Sequence, residues 1–279
     1  MNYKLSFSAI ALLMALYTVG QAKGKLFIIG GGDRSPELIR TLISTAQLSA
    51  HDYIVVLPMS TEEPDTAYFY IKSELEMACS NKIVNMNFEK KDTANKKWLD
   101  SLQHARLIFI TGGDQTRFMK VVLHTPIQRA MLKAYENGAT VAGTSAGAAM
   151  MSTHMITGNN LLGDTTYHAT FKQLRSNNIE MQEGLGLLST AIIDQHFVVR
   201  SRYNRLLSAL AKYPALPCIG IDEATAIIVH GKNVKVTGES QVIVFSKPKN
   251  MRSGPKGYIK FDDVQMRIYT EGDSFQLGR

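Results

Sequence analysis

Cysteine is scarce in this chain, with only Cys79 and Cys218 among 279 residues. That excludes a disulfide framework. The two could pair in an exported protein, but nothing in the sequence places them near each other and neither has metal-ligand spacing, so both are read as buried free thiols. The seven histidines form no zinc signature, and neither a metal nor a cofactor is expected. Long apolar runs are also missing. Past the first two dozen residues nothing is long and apolar enough to span a bilayer, so no stable membrane insertion is expected. There is no internal repeat, no low-complexity tract and no Pro/Gly/Ser-rich linker. The 31 Lys and Arg are scattered without interleaved aromatics, which argues against a nucleic-acid partner.

The N-terminus has a pattern of its own. Lys4 supplies a positive start, Leu5 to Val19 a mostly apolar stretch, and Gly20-Gln21-Ala22 a small-residue cleavage site. Residues 1–22 therefore read as a secretory signal peptide, with export to the periplasm or the medium as the expected fate. A retained N-terminal anchor is the alternative. Removing Lys4 lowers the formal charge from +7 to +6, a mildly basic balance that favours acidic partners. The whole chain is 45% hydrophobic, and residues 23–279 suffice for one domain with a real core.

Apolar runs alternate with helical patterns along most of that domain. Strands are expected at 25–29, 53–57, 83–88, 105–111 and 191–194, and helices at 36–48, 63–79, 126–137 and 201–213. Such alternation predicts a doubly wound α/β fold, a mostly parallel sheet with helices on both faces. Short β runs from Cys218 to Phe245, and one more from Tyr258 to Tyr269, add a β-rich C-terminal extension. The stretch from Thr157 to Glu183 is polar and weakly patterned, and reads as a loop inserted over the site.

In open α/β sheets functional groups collect beyond the carboxyl ends of the strands. Four ends are unusual here: Gly30 to Asp33, Gly112 to Gln115, Thr144-Ser145, and Asp194-Gln195-His196. Gly143-Thr144-Ser145-Ala146-Gly147 matches the Gly-x-Ser-x-Gly elbow, which lifts a serine hydroxyl off the sheet at a sharp strand-to-helix bend. Serine needs a base, and His196 is the candidate, expected on the same edge of the sheet. The chain order of serine hydrolases with this elbow favours Asp164 as the orienting acid. Glu180 and Glu183 lie in the same interval, and Glu223 lies beyond it. The N–H groups of Gly113 and Ala146 are the candidate oxyanion donors. Arg200, Arg202 and Arg205 can clamp carboxylates. Asp194 and Gln195, with Asp114 and Gln115, are placed to hold a cationic or amide group opposite them.

These blocks, with Gly220-Ile221-Asp222-Glu223 after them, occur in an order that resembles the cyanophycinases, and the resemblance runs from about Lys25 to Phe245. It implies a class I glutamine amidotransferase-like fold with serine in place of the usual cysteine. It also implies an exopeptidase that cuts arginyl-poly-aspartate into β-Asp-Arg dipeptides. Ser145 would be the nucleophile, His196 the base, and Gln115, Asp194, Gln195, Arg200, Arg202 and Arg205 the substrate pocket. The expected partner is an acidic, arginine-bearing peptide or polymer, and a homodimer is allowed but not required. The rivals are an aspartyl dipeptidase, an esterase of α/β-hydrolase type, and a silent receptor using the same cleft to capture peptides.

Overall fold

The computed structural model describes residues 24–162 and 173–278. The expected signal peptide and Asp164 lie outside the described residues. The parallel core is built from β1 (Leu26–Ile29), β2 (Tyr53–Leu57), β3 (Lys82–Asn85), β4 (Leu107–Ile110) and β5 (Thr140–Thr144). Between them run α1 (Pro36–Ala46), α2 (Pro64–Glu76), α3 (Lys96–Gln103), α4 (Gln115–Val122) and α5 (Pro126–Glu136). The elbow helix α6 (Ala146–Ala149) follows, then a hairpin of β6 (His154–Asn160) and β7 (Ile179–Glu183), then β8 (Ile192–Gln195) and α7 (Tyr203–Lys212). The C-terminal part contains β9 (Cys218–Ile221), β10 (Thr225–His230), β11 (Asn233–Gly238) and β12 (Val242–Lys249). It ends with β13 (Arg252–Ser253), β14 (Ile259–Lys260), β15 (Asp263–Tyr269) and β16 (Ser274–Gln276).

Eight strands form the main sheet in the order β16-β11-β10-β1-β5-β4-β2-β3, parallel from β1 to β3 and antiparallel at the β10 side. Successive side chains of a strand point to opposite faces, which explains why β1 and β4 are apolar at every position. Phe27, Ile29, Leu107 and Phe109 pack under α1 and α2 with Leu38, Leu42, Ile71 and Leu75. Leu26, Ile28, Ile108 and Ile110 face the other way, towards α4, α5 and α6. Each such fully buried side chain contributes roughly 1.5–3 kcal/mol relative to exposure. The helix starts follow capping chemistry. Ser35 and Thr125 each accept a backbone N–H at their helix entrance, and each is followed by a proline whose fixed φ suits the first turn.

A second sheet, β15-β12-β9-β8, stands against α6. Ile193, Ile219, Ile221, Val242 and Val244 join the core beneath the main sheet, while Ile192, Cys218, Ile243 and Phe245 are covered by α7 through Leu206, Ala209 and Leu210. The expected single sheet edge is thus two. His196 enters from the second sheet, and its backbone N–H donates to Gly30 O at 2.8 Å, tying the end of β8 to the end of β1.

Three other expectations change. The stretch from Thr157 to Glu183 is not all loop, because β6 and β7 pair antiparallel across it. The hairpin is only half-buried, so polar residues on its outer face mask the alternation that would have revealed it. The β-like tail divides into β14 and β15, and β16 closes the main sheet by pairing with β11. Cys79 and Cys218 are both free, but Cys79 is only half-buried. Burial pushes the thiol of Cys218 far above its ordinary range, which leaves it inert. Among the described residues no helix is long and apolar enough to cross a membrane, and no group of acidic, His or Cys side chains could hold a metal ion.

Candidate active site

Strand β5 breaks abruptly at Ser145, which adopts φ 53° and ψ −111°. A side chain is strained in that region by about 1–3 kcal/mol, and only tight packing around it holds the backbone there. That packing depends on missing side chains. A Cβ on Gly143 would lie 2.5 Å from Gly147 O, and one on Gly147 would lie 2.5 Å from Ile110 O. The elbow glycines therefore let β5 and α6 fold back on each other and on β4. Helix α6 has only four residues, so what it offers the site is the backbone N–H groups at its start, at Ala146 and Gly147, rather than a developed macrodipole. The Gly112-Gly113 turn lies alongside, close enough that a Cβ on Gly112 would come within 3.3 Å of Ser145 Cβ.

Ser145 Oγ and His196 Nε2 are 2.7 Å apart, and His196 Nδ1 lies 2.5 Å from Glu223 Oε1. The partner of Nδ1 is therefore Glu223, from the turn after β9, and not an acid between serine and histidine. Glu180 receives hydrogen bonds from Thr157, Asn159 and Gln182, and Glu183 meets His124, so neither is available to the imidazole. The chain order is serine, histidine, acid. The order rule failed because the ring approaches from a separate sheet, whose next strand, β9, ends beside it. The signal that could have found Glu223 is the end of that buried strand, Cys218–Ile221, followed directly by two acids. Gly31 completes the cradle: a Cβ there would stand 2.3 Å from the imidazole.

Burial pushes the His196 pKa below its ordinary value, and the nearby charges of Arg200 and Arg202 push it the same way. The hydrogen bond to Glu223 opposes them and wins back only part of the shift. The ring is accordingly neutral at neutral pH, with one nitrogen able to accept a proton.

A cleft of about 430 Å³ opens over Ser145. Its walls include Gly113, Asp114, Gln115, Thr116 and Lys120, then Thr157, Gly158 and Asn159 of β6, and finally Gln195, Arg200, Arg202 and Arg205. Most of the expected pocket residues are brought together here, but their tasks differ. Asp194 is a correction, since it is 0% exposed and does not line the cleft. Its carboxylate receives Arg205 through both Nε and Nη2, and also the N–H of Gln195. Arg205, 1% exposed, additionally donates to Gln195 Oε1, and Arg202 donates to Gln195 O and Oε1. These residues form a rigid, net-positive floor rather than two opposed substrate clamps. Arg200 differs: it is half-buried and makes no ion pair among the described residues. Asp114 caps α4 by accepting the N–H groups of Thr116 and Arg117, and Gln115 donates to Ile156 O and Thr157 O, holding β6 as a wall of the cleft.

Among known proteins, a cyanophycinase from Trichormus variabilis is 30% identical over 275 residues, covering 95% of this chain and 89% of that protein. A cyanophycinase from Geminocystis herdmanii is 33% identical over 232 residues, covering 80% of this chain and 81% of its own. The solved structure of a peptidase from an acI-B1 Actinobacterium superposes with a TM-score of 0.64 at 21% identity, covering 94% of this chain and 100% of that one, a likeness of fold. The model of Peptidase family S51 matches residues 26–237, a span that holds Ser145, His196 and Glu223 together. The chain belongs to peptidase family S51 and is a serine-type peptidase.

Proposed function

We propose that this protein is an exported serine exopeptidase that hydrolyses cyanophycin, or closely related isoaspartyl peptides, to β-Asp-Arg dipeptides. The observation that carries the reading is the relay Ser145–His196–Glu223 at the floor of a cationic cleft. In the first step Ser145 Oγ attacks the scissile carbonyl while its proton passes to His196 Nε2. Glu223 stabilises the imidazolium and keeps the proton on Nδ1 in the resting state, so that Nε2 is the acceptor. Negative charge on the carbonyl oxygen is met by the backbone N–H groups of Ala146 and Gly113. The imidazolium then protonates the leaving amine, an acyl-enzyme remains on Ser145, and water activated by His196 releases it.

Substrate choice follows from charge. Arg200 and the net-positive floor favour an aspartyl carboxylate next to the scissile bond, which an esterase would not need. The curated relatives that share most of the chain are cyanophycinases, and this supports the polymer as substrate. The N-terminal pattern supports export, so the polymer would be met outside the cytoplasm.

The test incubates the purified mature protein with cyanophycin, an aspartyl dipeptide and a simple aryl ester, alongside Ser145→Ala. Release of β-Asp-Arg from the polymer alone, lost in the variant, is expected. Preferential cleavage of the dipeptide moves the assignment to a dipeptidase, and tight binding without turnover moves it to a receptor. Cell fractionation with N-terminal sequencing checks export: a mature chain starting near Lys23 is expected.

A further inference from the structure

Two acids stand side by side after β9, and the relay uses only Glu223. Its neighbour Asp222 is buried and has a full set of partners. Asp222 Oδ1 accepts the backbone N–H groups of Val198 and Val199, each at 3.0 Å, and Oδ2 accepts Ser240 Oγ at 2.7 Å. A buried carboxylate costs free energy unless such donors surround it. Here two of the three donors, Val198 and Val199, belong to the loop that leaves β8, the segment carrying both His196 and Arg200.

That loop is stitched down residue by residue. His196 N–H donates to Gly30 O and Phe197 N–H to Ile221 O, and the next two N–H groups go to Asp222. His196 is therefore held without Asp222: its backbone is tied to β1, its Nε2 meets Ser145, and its Nδ1 meets Glu223. Arg200 has no comparable support. Its N–H reaches back to His196 O, and its guanidinium makes no ion pair among the described residues. The residues immediately before it are fixed by the Asp222 carboxylate.

We propose that Asp222 is the positioning residue that aims Arg200 into the cleft, acting on substrate selection rather than on the chemical step. It does so through the backbone of Val198 and Val199, backed by Ser240. The inference rests on the proposed function for the identity of the substrate carboxylate that Arg200 meets.

The experiment is a double-mutant cycle of Asp222→Ala and Arg200→Ala, with steady-state kinetics on cyanophycin. In Asp222→Ala, KM is expected to rise about tenfold while kcat changes by less than about threefold, the signature of lost binding shared by ground and transition states. In the double variant KM should rise little beyond that of Arg200→Ala alone, because removing the aim of an absent side chain changes nothing. Asp222→Asn, which keeps an acceptor for the two N–H groups, should restore most of the wild-type KM, and Ser240→Ala should give a smaller rise of the same kind. Multiplying KM effects in the double variant, or a fall in kcat without a rise in KM, would overturn the role. If Asp222→Ala fails to fold, Ser240→Ala takes its place in the cycle with Arg200→Ala, and multiplying KM effects there overturn the role equally. Failure of the proposed function shows separately, as wild-type protein that cleaves the aspartyl dipeptide and not cyanophycin. The same cycle is then read as KM on the dipeptide, where multiplying effects still overturn the role of Asp222.

Discussion

The two halves of the cleft are held by different forces. On the nucleophile side, Ser145 is fixed by β5, α6 and β4, whose nearby side chains are small or apolar, and close backbone contacts at Gly143 and Gly147 define the bend. On the base side, His196 and its loop are fixed by carboxylates and guanidiniums from β8, α7 and the turn after β9: Asp194, Arg202, Arg205, Asp222 and Glu223. Packing forces are indifferent to pH and unforgiving of volume. Buried charge is the reverse, tolerant of small shape changes but costly when a partner is removed. The nucleophile half should therefore fail by steric insult and the base half by charge deletion.

The largest expected effect separates chemistry from fold on the nucleophile side. Ser145→Ala should lower kcat on cyanophycin by on the order of 10⁵-fold, since no other group supplies the nucleophile. Ser145→Gly should be equally inactive yet more stable by about 1 kcal/mol, because glycine relieves the strained backbone at φ 53°. Urea unfolding midpoints check it. A glycine variant less stable than wild type would mean that the hydroxyl, not the backbone, dominates the energy at the bend.

Next in size is Glu223→Gln on the base side. Loss of the carboxylate that orients the imidazole should lower kcat/KM by on the order of 10³- to 10⁴-fold. The sign of the accompanying pH change follows from the opposing influences on His196. Burial lowers its pKa and the Glu223 hydrogen bond raises it, so removing the bond lets the pKa fall further. The acid limb of kcat/KM should move to lower pH in the variant. An upward move would show that Glu223 is not what holds the protonated ring.

Legibility divides along the same line. Ser145 was readable because five consecutive residues determine the elbow, and strands such as Leu26–Ile29 and Leu107–Ile110 because buried parallel strands are apolar throughout. His196 was readable as a base but not as a visitor from a second sheet, since strand pairing between β8, β9 and β12 is set by tertiary packing. Chain order favours Asp164 over Glu223 for the same reason: a carboxylate 27 residues after the histidine is adjacent only once β8 and β9 pair. Asp194 and Arg205 carried the right charges for a pocket, but spacing alone could not show that they satisfy each other beneath it.

That buried pair is the third test. Asp194→Ala leaves Arg205 as a charge with 1% exposure and no carboxylate, and should destabilise the protein by about 3–5 kcal/mol in urea unfolding. Ile110→Ala, a truncation of similar burial on the nucleophile side, should cost about 2–5 kcal/mol through its cavity. The two separate in a rescue. Arg205→Met added to Asp194→Ala should recover much of the loss by removing the stranded charge, whereas no charge change rescues the cavity. Failure of Arg205→Met to recover any of the stability lost in Asp194→Ala would erase the contrast between the halves.

The smallest effect concerns Arg200. Its positive charge disfavours the imidazolium of His196 and so helps to hold the ring's pKa down. Arg200→Ala removes that repulsion, and the acid limb of kcat/KM should move to higher pH, opposite to the shift in Glu223→Gln. Because Arg200 is only half-buried, its field is open to ionic screening. Raising the salt to 1 M, where the Debye length is about 3 Å, should move the wild-type limb in the same upward direction and move it less in Arg200→Ala. An acid limb that stays in place in Arg200→Ala and ignores salt in both proteins would assign the repulsion to Arg202, in the buried floor, and leave Arg200 with substrate binding alone.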